Sequence, residues 1–222
     1  MKINRLLAAA TLVLATGFAQ ADIIYDNGTP NETRGNFSDT GFPNLVVDDF
    51  ILAPGSNVIT DIHWFGLYVG GSVLPDDNFT ISIFESIGGT PDASALFEFN
   101  VGAAVNRSTT GYKLGGAIDI YSYEVDIAPI TLSANTTYFL GIGNDTPLFP
   151  ADWAWAHSVT GGGSSFEDFG SPGTWNALNN EFAFSLTNDN LTQPVPEPAT
   201  MSLLGMGLAG LALRTRRRKR NV

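Results

Sequence analysis

The sequence predicts an all-β body: an antiparallel, jelly-roll-like β-sandwich of about nine strands, held between two terminal address segments. Three observations predict it. Short runs alternate apolar and polar residues with period 2. Gly, Pro, Asn and Asp turn signals separate those runs. No long stretch repeats its apolar residues at the helical period of 3.6.

The strands follow in order. Asp22–Tyr25 comes first and Leu45–Leu52 second. Val58–Val69 carries apolar residues on both faces, as a central strand covered on both sides does. Phe79, Ile81 and Ile83 alternate with Thr80 and Ser82. Leu96–Val101 precedes Tyr121–Ile127, where Tyr121, Tyr123, Val125 and Ile127 share one face. Thr137–Ile142, the pair Trp153 and Trp155, and the run Phe182, Phe184 and Leu186 complete the set. Asn27-Gly28, Pro54-Gly55, Pro75-Asp76-Asp77, Gly88-Gly89-Thr90-Pro91 and Asn144-Asp145 mark turns. Gly161–Ser165 reads as a flexible loop. Thr187–Val195 reads as a polar linker to the C-terminal segment, overlapping the end of a body bounded at residues 22–190, with 191–195 the linker proper. No internal repeat of fixed period occurs.

Charge narrows the partners. The 222 residues hold 22 acidic and 11 basic side chains, and the basic ones crowd the ends. Between Asp22 and Asn190 stand 21 acidic residues against Arg34, Arg107 and Lys113, a net charge of −18. Such a surface repels phosphate backbones and anionic lipid, which excludes nucleic acid as a partner. Cations, calcium above all, and neutral polymers fit it better. With no Cys there is no disulfide framework, thiolate nucleophile or Cys-ligated zinc.

The ends are addresses. Residues 1–21 read as a secretory signal peptide, with Lys2 and Arg5 before an apolar run, Leu6–Phe18. Ala19-Gln20-Ala21 supplies the small-x-small pattern at which signal peptidase would cut between Ala21 and Asp22; a retained N-terminal anchor is the alternative. The C-terminal segment, 196–222, has three parts. The first is Pro196-Glu197-Pro198, after Val195. The second is an apolar stretch, Ala199–Leu213, read as a short transmembrane helix. The third is a basic tail of Arg214, Arg216, Arg217, Arg218, Lys219 and Arg220. At about 1.5 Å per residue the stretch reaches roughly 22 Å, short of a hydrocarbon core of roughly 30 Å. Bilayer thinning or snorkelling arginines close that gap. The basic tail holds its end in the cytoplasm, which makes the stretch a transient inner-membrane anchor for a body outside. Gly205, Gly207 and Gly210 offer a small-residue face for helix contact.

This order of parts resembles the PEP-CTERM sorting signal of Gram-negative, polysaccharide-producing bacteria, with Pro196, Glu197 and Pro198 matching its motif residue by residue. The resemblance covers about the last 27 residues. It implies recognition by exosortase, a membrane transpeptidase-like cysteine protease, removal of the tail near the motif, and delivery to the cell surface or extracellular matrix. A similar segment also occurs on some ice-binding proteins. A plain single-pass anchor is the alternative.

The body's own chemistry is less legible. Trp153, Trp155 and Trp175, with Tyr68, are candidates for an aromatic platform that stacks on sugar rings. Trp153 and Trp155 share a face and are flanked by Ala, so they also suit a core, as does Trp64. Trp175, in Gly173-Thr174-Trp175-Asn176, has the sequence of an exposed loop. Asp76 and Asp77 are the leading candidate ligands for calcium, the one cofactor suggested, with Asp48-Asp49 and Asp26-Asn27 as further acidic clusters. Solvated turn carboxylates are the ordinary explanation of all three, and no EF-hand loop occurs. His63 and His157 continue strand alternations beside tryptophans and read as structural. Neither a Gly-x-Ser-x-Gly elbow nor a His-Glu-x-x-His motif is present. A glycosidase needs only two suitably spaced carboxylates, which 21 acidic residues supply by chance. Eight Asn-x-Ser/Thr sites, such as Asn78-Phe79-Thr80, are expected to be unused. The sequence therefore predicts a non-enzymatic surface or matrix protein associated with exopolysaccharide and without catalytic residues. A secreted polysaccharide hydrolase is one alternative. An adhesion or ice-binding sandwich is another, although no regular Thr ladder is found.

Overall fold

A computed structural model describes residues 21–41, 43–70, 76–146, 152–170 and 173–189. The expected transmembrane helix, the sorting motif and the signal peptide up to Gln20 lie outside these residues. The described residues contain no helix and form fourteen strands. These are β1 (Asp22–Asp26), β2 (Pro30–Phe37), β3 (Asn44–Ile51), β4 (Val58–Val69), β5 (Phe79–Ile87), β6 (Thr90–Pro91) and β7 (Phe97–Gly102). They continue with β8 (Asn106–Leu114), β9 (Ile118–Thr131), β10 (Thr137–Asn144), β11 (Asp152–Ser158), β12 (Ser165–Phe169), β13 (Trp175–Leu178) and β14 (Phe184–Asn188).

The strands make two antiparallel sheets of seven. The first is built on β4. One edge of β4 pairs with β9, and β9 pairs with β8. The other edge is shared: β14 pairs with Asp61–Trp64, and β11 pairs with Gly66–Val69. Strand β1 lies outside β14, and β2 lies outside β11. The second sheet runs β13-β12-β3-β10-β5, with β7 and β6 along the outer edge of β5. Two seven-stranded sheets exceed the eight-strand double Greek key of a jelly roll. The antiparallel sandwich is what the structure carries.

Period-2 alternation explains the layers. Val46 and Phe50 of β3, Ile81 and Ile83 of β5 and Leu140 and Ile142 of β10 meet Ile62 and Trp64 of β4, Tyr123 and Val125 of β9 and Phe184 and Leu186 of β14 in one buried core. Its centre is aromatic. The Trp64 ring stacks on Tyr123 at 5.5 Å, and Phe79 stands edge-on to Trp64 and Trp153, both at 5.1 Å. Such pairs add to simple area burial. A second cluster (Val47, Phe84, Phe139, Phe166) lies on the other face of the second sheet. A third (Leu67, Ile120, Ala154, Ala156) lies on the other face of the first sheet. There Glu32 of β2 reaches β8: its carbonyl accepts from Gly115 N at 2.9 Å and its carboxylate from Lys113 N at 3.0 Å. Among the described residues, the three clusters bury the apolar faces of both sheets.

Several expectations are corrected. The described residues form fourteen strands rather than about nine. Strands β2 and β8 were missed because Pro30–Phe37 and Asn106–Leu114 are polar and lack a clean alternation. Backbone pairing to β11 and β9 places them, and only the end of β8, Tyr112 and Leu114, adds apolar packing, against the third cluster. Ser165 is not loop but opens β12. Thr187 and Asn188 are not linker but end β14, paired with Ile23 and Asp22. Trp153 and Trp155 are wholly enclosed and cannot form a sugar platform, since their rings fill the space between the sheets. Tyr68 is buried with them.

Gly66 shows how tight this packing is. A Cβ there would lie 2.4 Å from the Trp153 ring. Gly66→Ala therefore has to displace a buried indole. It is expected to destabilise the body by about 1–3 kcal/mol, read as a lower urea midpoint with the slope unchanged. A midpoint equal to wild type would show that the Trp153 contact is slack.

Candidate functional site

Strand β3 places a carboxylate where alternation calls for an apolar side chain. Val46 and Phe50 face the main core, and Asp48 falls between them on the same row. It is 0 % exposed. Burial pushes its carboxyl well above the usual carboxylate range, and hydrogen bonds from the Phe182 and Asp49 backbone oppose that shift. The donors converge closely. Asn27 Nδ2 donates to Asp48 Oδ2 at 2.8 Å, Phe182 N donates to the same oxygen at 2.7 Å, and Asp49 N donates to Oδ1 at 3.0 Å. Asn27 Nδ2 also reaches the Phe182 carbonyl at 2.9 Å and Glu181 Oε2 at 3.4 Å. The turn after β1, the middle of β3 and the approach to β14 are thereby tied at one point.

Two more carboxylates join this knot. Oxygens of Asp48, Asp49 and Glu181 lie within 4.8 Å of one another. None of the three takes part in an ion pair among the described residues. Burial also raises the Glu181 carboxyl, with Asp49 adding to the shift, while hydrogen bonds from Asn27 and the Gly163 backbone hold it down. The glycine loop lies against both outer carboxylates. Ser164 N donates to Asp49 Oδ1 at 2.5 Å. A Cβ on Gly163 would fall 2.4 Å from Asp49 Oδ1 and 2.6 Å from Glu181 Oε2, so only glycine permits this approach. A hard cation is the metal such oxygens would hold.

Two clefts flank Gly161–Gly163, of about 380 Å³ and about 320 Å³. They share Thr160, the three glycines and Glu181. Asn31, Asn179 and Asn180 line the larger one, and Tyr25 and Asp49 line the smaller. His157, at the back of the larger cleft, is lowered to about 4 by burial and by the charge of Arg34. It is neutral at ordinary pH, and its Nε2 lies 2.7 Å from Asn36 Oδ1.

The other sequence candidates lie elsewhere. Asp77 is committed to an internal network. Arg107 pairs with its Oδ2 at 3.1 Å, and Tyr68 Oη and Asn144 Nδ2 donate to its Oδ1. Arg107 also lies over the Tyr68 and Tyr121 rings, at 5.6 Å and 5.7 Å. Asp76 is exposed and is not brought to the Asp48 knot. Trp175 opens β13 rather than a loop. Its ring stands edge-on to Phe84 at 5.3 Å and its Nε1 donates to the Asp92 carbonyl at 3.1 Å, so it half-covers an outer cluster. His63 Nε2 lies 3.2 Å from Thr187 Oγ1, and its Nδ1 lies 3.7 Å from Glu124. Glu181 was not singled out by sequence, and nothing local marks it: it stands 154 positions from Asn27.

The terminal address is settled separately. Residues 194–218 match the PEP-CTERM protein-sorting motif, a span that includes Pro196, Glu197 and Pro198. The chain carries a PEP-CTERM sorting signal. That signal implies export, membrane-anchored sorting and processing by exosortase. No curated protein and no solved structure matches the chain.

The carboxylate knot has a pH signature. Asp48 and Glu181 are both raised in the folded state. Above the unfolded carboxylate range, near about pH 4, the native state holds more protons than the unfolded state. The contribution is therefore present at low pH and lost as pH rises through the folded values. Glu181→Gln removes one of these protons. It is expected to flatten the decline in stability as pH rises above the unfolded carboxylate range relative to wild type, by urea titration at a series of pH values. An unchanged slope would mean that Glu181 ionises freely.

Proposed function

We propose that this chain is an exported, exosortase-processed protein of the cell surface or extracellular matrix, and that its β-sandwich associates with extracellular polysaccharide without catalysing a reaction. The observation that carries the reading is the sorting motif at 194–218. The acidic body supports it, because a net charge of −18 disfavours nucleic acid and anionic membrane. Signal peptidase would remove residues 1–21. The tail would anchor the body in the inner membrane until exosortase releases it near Pro196–Pro198.

One observation favours a second reading, a polysaccharide hydrolase. Glu181 has the raised carboxyl of a general acid and sits beside a second carboxylate, Asp49. Against it, the glycine loop covers both groups. Gly163 and Ser164 donate backbone hydrogen bonds to their oxygens where a scissile bond would have to enter. Calcium binding at Asp48, Asp49 and Glu181 is part of neither reading.

The sorting step is tested by blotting cell fractions from an exosortase-positive host. Wild type should appear as a shortened, released form, and the variant Pro196→Ala with Pro198→Ala as a longer, membrane-retained one. Identical released products from both would overturn the proposal. Reducing-sugar release from purified body, measured on the host's own exopolysaccharide, separates the two readings: sustained release supports the hydrolase, and none supports the binding protein.

A further inference from the structure

We propose that the larger cleft beside Gly161–Gly163 is a binding site for a neutral, uncharged stretch of glycan chain. The inference rests on the polysaccharide reading above and names the place and the chemistry.

The lining matches a ligand that carries many hydroxyls. Asn31, Asn179 and Asn180 line one cleft together with Ser158, Thr160 and Glu181, and of the three amides Asn179 is exposed. Each sugar hydroxyl both donates and accepts. Carboxamides offer both roles. Leu178 is the single aliphatic side chain beyond Cβ in the lining, so an apolar ligand gains little there. No Lys or Arg is among the described lining residues and His157 is neutral, so the one nearby cation, Arg34, acts on the cleft through His157 rather than lining it, and a phosphate, sulfate or uronate finds no direct cationic partner there. Glu181 and the acidic body repel those groups.

The site is also built in advance of any ligand. Ser158 N donates to the Glu181 carbonyl at 2.7 Å and Val159 N to the Thr29 carbonyl at 2.9 Å. Thr160 N donates to Ser158 Oγ at 2.9 Å, and Asn27 holds Glu181. Groups fixed in this way need little ordering on binding, which preserves affinity. The glycine wall adds close access. No atom lies within 4 Å of a Cβ built on Gly161 or Gly162, so backbone is bare to the cleft. The second cleft shares that wall. One wall serving two clefts suits a chain that continues past a single residue better than it suits a small, closed ligand. A volume of about 380 Å³ falls within the range of small-molecule sites.

The test uses the secreted protein, purified after export and processing and checked for a cooperative melt. It is passed over immobilised neutral glycans (a glucan, a galactan and a mannan) and over alginate as the anionic polymer. Two variants accompany it. Asn179→Ala removes an exposed carboxamide, and Gly161→Tyr adds bulk where a Cβ meets open space at a backbone conformation open to any residue. Wild type is expected to be retained on at least one neutral glycan and to pass through alginate. Both variants should melt with wild type and bind that glycan at least about tenfold more weakly, the scale of a lost hydrogen bond to a charged or well-placed group. Retention that both variants keep would overturn the cleft while leaving polysaccharide association standing. Retention on alginate in preference to the neutral glycans would overturn the charge argument and leave association standing. No retention on any of the four would overturn the cleft and the reading beneath it.

Discussion

A carboxylate sealed between two β-sheets has to be satisfied by donors brought from elsewhere in the chain, and Asp48 sets that requirement here. Water cannot reach it, and no Lys or Arg pairs with it among the described residues. Leaving such a group unbonded costs far more than a lost surface contact. Asn27 and the Phe182 amide meet the demand from two distant parts of the sequence. The turn after β1 and the entry to β14 are thereby fixed against β3 of the opposite sheet. Glu181 precedes Phe182, so its position follows. The glycine loop then rests on Glu181 and Asp49, and the clefts take their shape from that loop.

The rest of the fold is conventional apolar burial arranged around β4. Its two faces are covered by different clusters, one edge pairs with β9, and the other is divided between β14 and β11. This arrangement was largely readable in advance. Val58–Val69 is apolar on both faces, and the alternations around Ile81, Tyr123 and Phe184 state which side chains turn inward. The polar strands were not readable in that way. Pro30–Phe37 and most of Asn106–Leu114 owe their extended form to hydrogen bonds with β11 and β9, with apolar packing only at Tyr112 and Leu114, and backbone pairing leaves little trace in side-chain pattern.

The site was legible only in fragments. Asp26-Asn27 and Asp48-Asp49 stood out as acidic clusters, and the three glycines as a loop, but no local rule joins residues 27, 48 and 181. One signal was present and went unread. Val46, Asp48 and Phe50 occupy the same phase of an alternating strand, which places Asp48 on the core row. Trp153 and Trp155 gave the opposite lesson. Their shared phase and flanking alanines already described a core, and the structure buries both rings. The C-terminal signal was the clearest feature of all, because its parts act through order, charge and apolar length rather than through a fold.

Everything assigned to the cleft depends on Asp48 and Asn27 acting as one unit, and a double-mutant cycle measures that directly. Wild type, Asn27→Ala, Asp48→Ala and the double variant are unfolded in urea at one pH. If the carboxylate is satisfied through Asn27, the first substitution removes most of what the second could still lose. The two effects should then fall short of additive by about 1–3 kcal/mol, the range for partners in one buried network. Additivity within about 0.3–0.5 kcal/mol, as for independent sites, would contradict the account.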